Sequence, residues 1–501
     1  MAAIVVALAV TVIWQRPGFF RLRAPTAREV DAIRDFCGRC HQYPEPEILP
    51  ASVWELQVRK MYELAEASPS DTVQPPAVET TLSFYLSRAP AQLRAARAKT
   101  PTADSPVVFE PRPLAPAGAA RFPAVSNLKL AAVIEASRLD VILCDMRHHA
   151  VLLVTPGRQR ESVLMLATIP HPCHVEVTDL DRDGLQDLLV ADLGVMHTSD
   201  ELRGSIVWLR RRSGKEFEPI VVARGLGRVA DVRAADFDDD GDLDLIAAVF
   251  GWRKVGHILL LLNESTPAEP MRFDPLVIDP RPGAIHVPVV DLDRDGRLDF
   301  VALISQESET VCAFLNAGSG RFTKYEISPP KHPAWGSSGI EVIDLDHDGD
   351  VDVLFANGDS FGEDFVRPYH GLTWLENRGA FPFVEHRLLD LAGAHIGKAA
   401  DLDGDGDLDI AVCAFAPPDS RALGAAATDG VVWLEQTSPG QFQPHVLATG
   451  RPTHPTLDLG DIDADGDVDL VVGNLTTGTD PRDAHLPWAV LWENQSTRPT
   501  R

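Results

Sequence analysis

Residues 179–192 read DLDRDGLQDLLVAD: aspartate at the first, third, fifth and ninth positions, glycine at the sixth, then an apolar run. The same frame returns as DFDDDGDLD at 236, DLDRDGRLD at 291, DLDHDGDVD at 344, DLDGDGDLD at 401 and DIDADGDVD at 461, with starts 57, 55, 53, 57 and 60 residues apart. Recurrence at a near-constant period marks a repeat architecture and is read before any single segment. Each loop leads into a short β-branched run such as LIAAV, FVALI or LVVGN, with the length and composition of a buried strand. Further strands follow in WLRRRSGKEF, FLNAGSGRF or WLEQTSPGQF, where a turn separates two apolar ends. Each unit thus amounts to about four strands.

Before the first loop, LDVILCD at 139–145 and AVLLVTPG at 150–157 resemble the same strand pair with the loop eroded, which makes seven units. A four-stranded unit hides its two faces only against neighbouring units, so the units close radially. The expected fold is mainly β: a seven-bladed β-propeller of four-stranded blades, preceded by a small α-helical module. Four segments are expected: 1–23 as a signal peptide or membrane anchor, 24–100 as the helical module, 101–120 as a Pro/Ala-rich linker, and 121–495 as the propeller.

The loops carry their own chemistry. Carboxylates at positions 1, 3, 5 and 9 with a carbonyl at 7 can surround one hard cation, and glycine at 6 permits the sharp turn. An all-oxygen set in a short flexible loop suits Ca2+ over Mg2+ and disfavours zinc and copper. Up to six ions are expected. The motifs resemble the FG-GAP and VCBS-type repeats of integrin-like propellers over residues 121–495, although the FG and GAP signatures themselves are absent. The resemblance implies calcium at Asp179, Asp181, Asp183 and Asp187; at Asp236, Asp238, Asp240 and Asp244; and at Asp291, Asp293, Asp295 and Asp299. It implies the same at Asp344, Asp346, Asp348 and Asp352; at Asp401, Asp403, Asp405 and Asp409; and at Asp461, Asp463, Asp465 and Asp469. It implies no reaction, because such propellers host unrelated functions.

A formal charge of -27 repels nucleic acid and anionic membrane surfaces. The apolar run AAIVVALAVTVIW at 2–14, followed by Arg16, Arg21 and Arg23, suits an export signal or a membrane anchor, which places the chain outside the cytoplasm. Cys37-Gly-Arg-Cys40-His41 lies just beyond. With no second ligand pair nearby for zinc and no βαβ setting for a redox dithiol, C-x-x-C-H reads as a c-type haem attachment, His41 ligating the iron. Met61 is the candidate sixth ligand. The order of helices around the motif resembles a minimal cytochrome c over residues 26–90, and the two modules together are similar to secreted bacterial proteins that join such a segment to a VCBS-type propeller.

Residues five to eight before each Asp loop lie at the far end of the same strand, roughly 17 Å away. Those positions hold His171, His174, His286, His395 and His454, with Trp335 nine before its loop. The long connections back to that face add His197, Asp359 and His370. His286, His370, His395, His454, Trp335 and Asp359 are the candidate axial-face site. Two readings follow. One is a calcium-binding propeller with one haem c, acting in electron transfer with a redox partner or as an oxidoreductase component. The other is a calcium-stabilised surface module for extracellular carbohydrate or protein, with the haem accessory or absent.

Overall fold

The computed structural model describes residues 23–39, 41–67, 74–93, 105–114, 121–157, 161–266, 272–360, 367–416 and 428–496. The export segment and Cys40 lie outside these, and among the described residues no helix is long and apolar enough to cross a membrane. The chain divides into a small unit, Met1–Arg39 with Glu45–Ala91, and a large one, Cys40–Pro44 with Gln92–Arg501.

The small unit contains three short helices, α1 (Ala27–Cys37), α2 (Ala51–Ala67) and α3 (Val78–Leu86). Thr26 caps α1: its hydroxyl accepts the Glu29 N–H, and the Glu29 carboxylate reaches back to the Thr26 N–H at 2.7 Å, so two orphan donors are satisfied together. Aromatic side chains fill the interior. Trp54 stacks on Tyr85 with ring centres 4.0 Å apart, Phe36 lies 5.0 Å from Tyr62, and the Tyr62 hydroxyl meets Thr81 at 2.8 Å. The described helices lie between Ala27 and Leu86, and three short helices do not show the likeness to a cytochrome c that the sequence suggests.

The large unit is a seven-bladed propeller. The first strands of blades 1 to 7 are Val125–Ala131, Pro172–Thr178, Val229–Ala235, Ala284–His286 continued by Val289–Val290, Ser337–Ile343, Ala394–Ala400 and Leu457–Gly460. Each adjoins the next and the last adjoins the first, which closes the ring. In blade 4 the first strand is split at Pro288, which has no N–H to give the ladder. The second strands, Asp140–Asp145, Asp187–Asp192, Asp244–Val249, Asp299–Ile304, Asp352–Asn357, Asp409–Ala414 and Asp469–Gly473, are buried from end to end. Their continuous apolar runs are thereby explained, since both faces of each blade pack on neighbours. Ile246 and Ala248 of blade 3, for example, share a core with Phe300 and Ala302 of blade 4.

Closure of the ring differs from the sequence expectation. Phe109–Leu114, inside the stretch read as a linker, is the outer strand of blade 7 and pairs antiparallel with Ala489–Asn494. The linker reading failed because Pro111 and Pro113 look like strand breakers. They sit two apart on an edge strand, so both missing N–H groups are on the side that has no partner. The propeller therefore joins the two ends of its own sequence in one sheet.

Candidate functional site

The six Asp loops connect the first and second strands of blades 2 to 7, and their backbone is repeated as faithfully as their sequence. The fourth residue takes a positive φ in every loop: Arg182 55°, Asp239 64°, Arg294 60°, His347 59°, Gly404 78° and Ala464 64°. The sixth-position glycines follow at 89° to 105°. Only glycine tolerates the sixth position without strain, which is why it never varies here.

Within this turn each aspartate has a distinct task. The fifth accepts the N–H of the seventh, as in Asp240 with Asp242 at 2.8 Å and Asp348 with Asp350 at 2.7 Å. The third accepts the N–H of the fifth in blades 3 to 7, at 3.1 to 3.3 Å. The first accepts the sixth-position glycine N–H through Oδ2 in Asp179, Asp236, Asp291, Asp344 and Asp461, at 2.9 to 3.1 Å. The ninth is buried and serves the fold. Its Oδ2 accepts the N–H of loop position 2 and its Oδ1 an N–H from the third strand: Asp244, for instance, holds Phe237 at 2.9 Å and Asn263 at 2.7 Å. Burial raises the pKa of this carboxyl despite the two donors, to about 6 in Asp244, Asp352 and Asp469 and about 7 in Asp409. Blade 1 confirms the division of labour, because it lost the loop and kept the ninth residue as fully buried Asp140, which accepts Thr155 Oγ1 at 2.6 Å.

The loops gather carboxylates as the sequence implied. Oxygens of Asp179, Asp181 and Asp187, of Asp236, Asp238 and Asp244, and of Asp401, Asp403 and Asp409 lie within 4.8 Å of one another. The same holds for Asp291, Asp293 and Asp295 and for Asp344, Asp346 and Asp348. A cation-binding loop should keep a carboxylate oxygen that the protein leaves unused. Oδ1 of Asp236, Asp291 and Asp344 in blades 3 to 5, Oδ1 of Asp407 and Asp467 in blades 6 and 7, and both oxygens of Asp181 in blade 2 are buried without a hydrogen-bond partner among the described residues. Such atoms are costly unless something meets them, so the donor set fits a hard cation.

On the opposite face the predicted residues separate into two groups. His286 directs Nε2 to Ser338 O at 3.3 Å, and His454 directs Nδ1 to Gly473 O at 3.2 Å; these rings tie backbone. His174 is buried and neutral: Nδ1 lies 2.9 Å from Asp231, and Nε2 accepts Arg233 Nη2 at 2.9 Å. Burial lowers the pKa of His395 and His454 to about 4. His171 bonds Met146 O at 2.9 Å, and His197 is exposed. His370, Trp335 and Asp359 do come together. Gly336, at φ 82°, bonds the Asp359 N–H at 2.9 Å, and Trp335 stacks on Tyr369 at 5.6 Å with an angle of 8°. His370 next in sequence is fully buried, and neither ring nitrogen has a hydrogen-bond partner among the described residues.

Sequence reasoning missed the channel. Three residues before each Asp loop stand Glu176, Arg233, Pro288, Glu341, Lys398 and Asp458, and Lys129 holds the same place in blade 1. Arg233 pairs with Glu176 at 2.7 Å, and Lys398 lies 3.6 Å from Glu341 and 3.4 Å from Asp458. Acids also bridge blades through backbone: Asp458 accepts the Leu130 N–H at 2.8 Å and Glu341 the Ala399 N–H at 2.7 Å. One turn along, buried Asp231 receives Arg233 Nε at 3.0 Å and the Val287 N–H at 3.0 Å. Tabulating the column before the loop would have revealed this ring.

Residues 179–247 and 278–355 match the FG-GAP-like repeat. No curated protein matches the sequence. Two solved structures of BBS1N in complex with ARL6DN, one soaked with lead and one with mercury, are similar at 11% identity and a TM-score of 0.44. The first covers 79% of this chain and 99% of its own, the second 78% and 97%. The chain thus carries FG-GAP-like repeats, and it builds them into a seven-bladed β-propeller.

Proposed function

We propose that this chain is an extracytoplasmic, calcium-braced β-propeller that carries one c-type haem at Cys37, Cys40 and His41 and serves in electron transfer. The observation that supports the haem is the state of His41. Its ring is buried, Nδ1 meets Gln42 O at 2.8 Å, and Nε2 is left with no hydrogen-bond partner among the described residues. A carbonyl on Nδ1 fixes the tautomer that presents a lone pair at Nε2, as an iron ligand requires. Cys37 closes α1 with its thiol buried and its pKa pushed up to about 11, so it is held as S–H. Each cysteine adds its S–H across a haem vinyl group, sulfur to one carbon and hydrogen to the other, with no oxidant consumed. When bound, the haem supplies a one-electron couple. Met61, half-buried on α2, is the candidate sixth ligand. Calcium is supported by the spare carboxylate oxygen in the loops of blades 3 to 7. The export-like segment at 2–14 and the repeats support an extracytoplasmic site of action. The test is a visible spectrum of the chain made with haem-maturation machinery: a reduced α band that survives denaturation is expected, and its absence sinks the haem reading.

The half-exposed Trp335–Tyr369 stack, with the His332 ring edge-on to Tyr369 at 5.2 Å, favours a second reading. An aromatic platform on a rigid ring suits carbohydrate or a protein side chain. Under that reading the haem-free chain binds an extracellular ligand, and Trp335→Ala abolishes the binding.

A further inference from the structure

The six loops differ in what lies beneath them. Each ninth aspartate accepts the N–H of a residue at the end of the third strand, Arg211 in blade 2 and Asn263 in blade 3 among them. The residue immediately before that donor therefore occupies an equivalent place beside every loop. It is Leu262 or Leu315 in blades 3 and 4, Glu376, Glu435 or Glu493 in blades 5 to 7, and Arg210 in blade 2. The glutamates lie close enough to act on the charges of Asp346, Asp403 and Asp463. Arg210 does the reverse: Nη2 is ion-paired with Asp181 and stands 4.0 Å from Asp183 Oδ2.

Two further features set blade 2 apart. Position 7 is Leu185, where blades 3, 5, 6 and 7 have aspartate. Both oxygens of Asp179 accept loop N–H groups, from Asp183 at 3.0 Å and Gly184 at 2.9 Å, as both oxygens of Asp461 do in blade 7. The oxygens that lack hydrogen-bond donors here are those of Asp181, and it is Asp181 that the guanidinium meets. Blade 4 also has an arginine, Arg297, but it comes from the loop's own seventh position and meets the fifth-position Asp295, not the third-position aspartate.

We propose that Arg210 takes the place of the ion in blade 2, so that this loop folds without calcium and the chain holds five calcium ions and not six. A guanidinium is charged at every accessible pH and repels an incoming divalent cation, so the loop is braced permanently. The inference rests on the calcium reading of the other five loops, and the experiment separates the two. Native mass spectrometry of the full chain, stripped with EDTA and titrated with calcium chloride, should show five ions. Asp181→Asn should leave the number at five, whereas Asp238→Asn in blade 3 should reduce it to four. Arg210→Leu, which installs the residue of blades 3 and 4, should raise it to six. Six ions on the unaltered chain, loss of one ion in Asp181→Asn, or a folded Arg210→Leu that stays at five would each overturn the proposal. Should Arg210→Leu not fold, the two asparagine variants decide. Binding of no calcium at all would instead remove the reading beneath it.

Discussion

Asp244→Ala tests whether the ninth aspartate of each loop is a fold element in its own right. The side chain is buried and satisfies two amides, Phe237 N–H at 2.9 Å and Asn263 N–H at 2.7 Å. Alanine leaves both without an acceptor, and each orphaned buried amide costs about 1–3 kcal/mol, so a local loss of roughly 2–6 kcal/mol is expected. Burial lifts the Asp244 pKa from 3.8 to about 6, so the protonated form is favoured in the folded state and stability at this site falls as pH rises through that range. At pH 8 the carboxylate already bears that cost, which puts the expected loss at the lower end. A change of about 2 kcal/mol corresponds to roughly 30-fold faster amide exchange. Hydrogen exchange by mass spectrometry in EDTA should show this acceleration at Phe237 and Asn263. Asp242→Asn, at an exposed loop position, should change exchange there by under about 0.5 kcal/mol. Unchanged protection at Phe237 and Asn263 in Asp244→Ala would refute the reasoning and reduce the ninth aspartate to a metal ligand alone.

Three other perturbations address the rest of the molecule. Glu309 is buried, accepts the Ser337 N–H at 2.9 Å, and has its pKa raised by burial from 4.5 to about 8. The folded chain therefore holds this proton, stability drains away between pH 4.5 and 8, and Glu309→Gln should gain up to about 5 kcal/mol at pH 9 and nothing at pH 4.5. Thermal melts across that range check it, and a pH-independent difference contradicts it. Asp231→Asn removes the charge that meets Arg233 and His174 inside the channel, and breaking such a buried pair should cost about 3–5 kcal/mol, read as a lowered melting temperature in EDTA. A chain begun at residue 121 lacks the outer strand of blade 7 and should melt below one begun at residue 105; equal melting would show that Phe109–Leu114 contributes nothing.

The repeat made most of this architecture legible. A loop with aspartate at four fixed places and glycine at a fifth admits one backbone, and both positive φ positions fall in register six times over. The seven units, the strand content and the face of the ring that carries the acids all follow from that period. What escaped were features encoded outside it. Phe109–Leu114 belongs to blade 7 across 380 residues of sequence, and its prolines argue for a loop unless the edge position is known. The axial histidines come from different sequence offsets: His286 and His454, five and seven residues before their loops, tie backbone, while His370, from a connection between the second and third strands, is the one buried with both nitrogens unmet among the described residues. Spacing fixes where a side chain starts, and the neighbouring blade decides what it meets.

The channel residues show a constraint that no single blade contains. Around the ring they run Lys129, Glu176, Arg233, Pro288, Glu341, Lys398 and Asp458, so charges alternate from blade to blade. Seven is odd, and strict alternation around an odd ring must set two like charges side by side, which the low dielectric of a channel penalises. One neutral member removes the conflict. Pro288 is that member, flanked by Arg233 on one side and Glu341 on the other, and the three positive and three negative residues balance. Each charge of this ring thus has an oppositely charged neighbour, and the additional carboxylate of Asp231 is taken up by Arg233 and the Val287 N–H. The free chemistry of the propeller is thereby displaced to its two faces: the acid loops with their spare carboxylate oxygens on one, and the Trp335, Tyr369 and His370 cluster on the other.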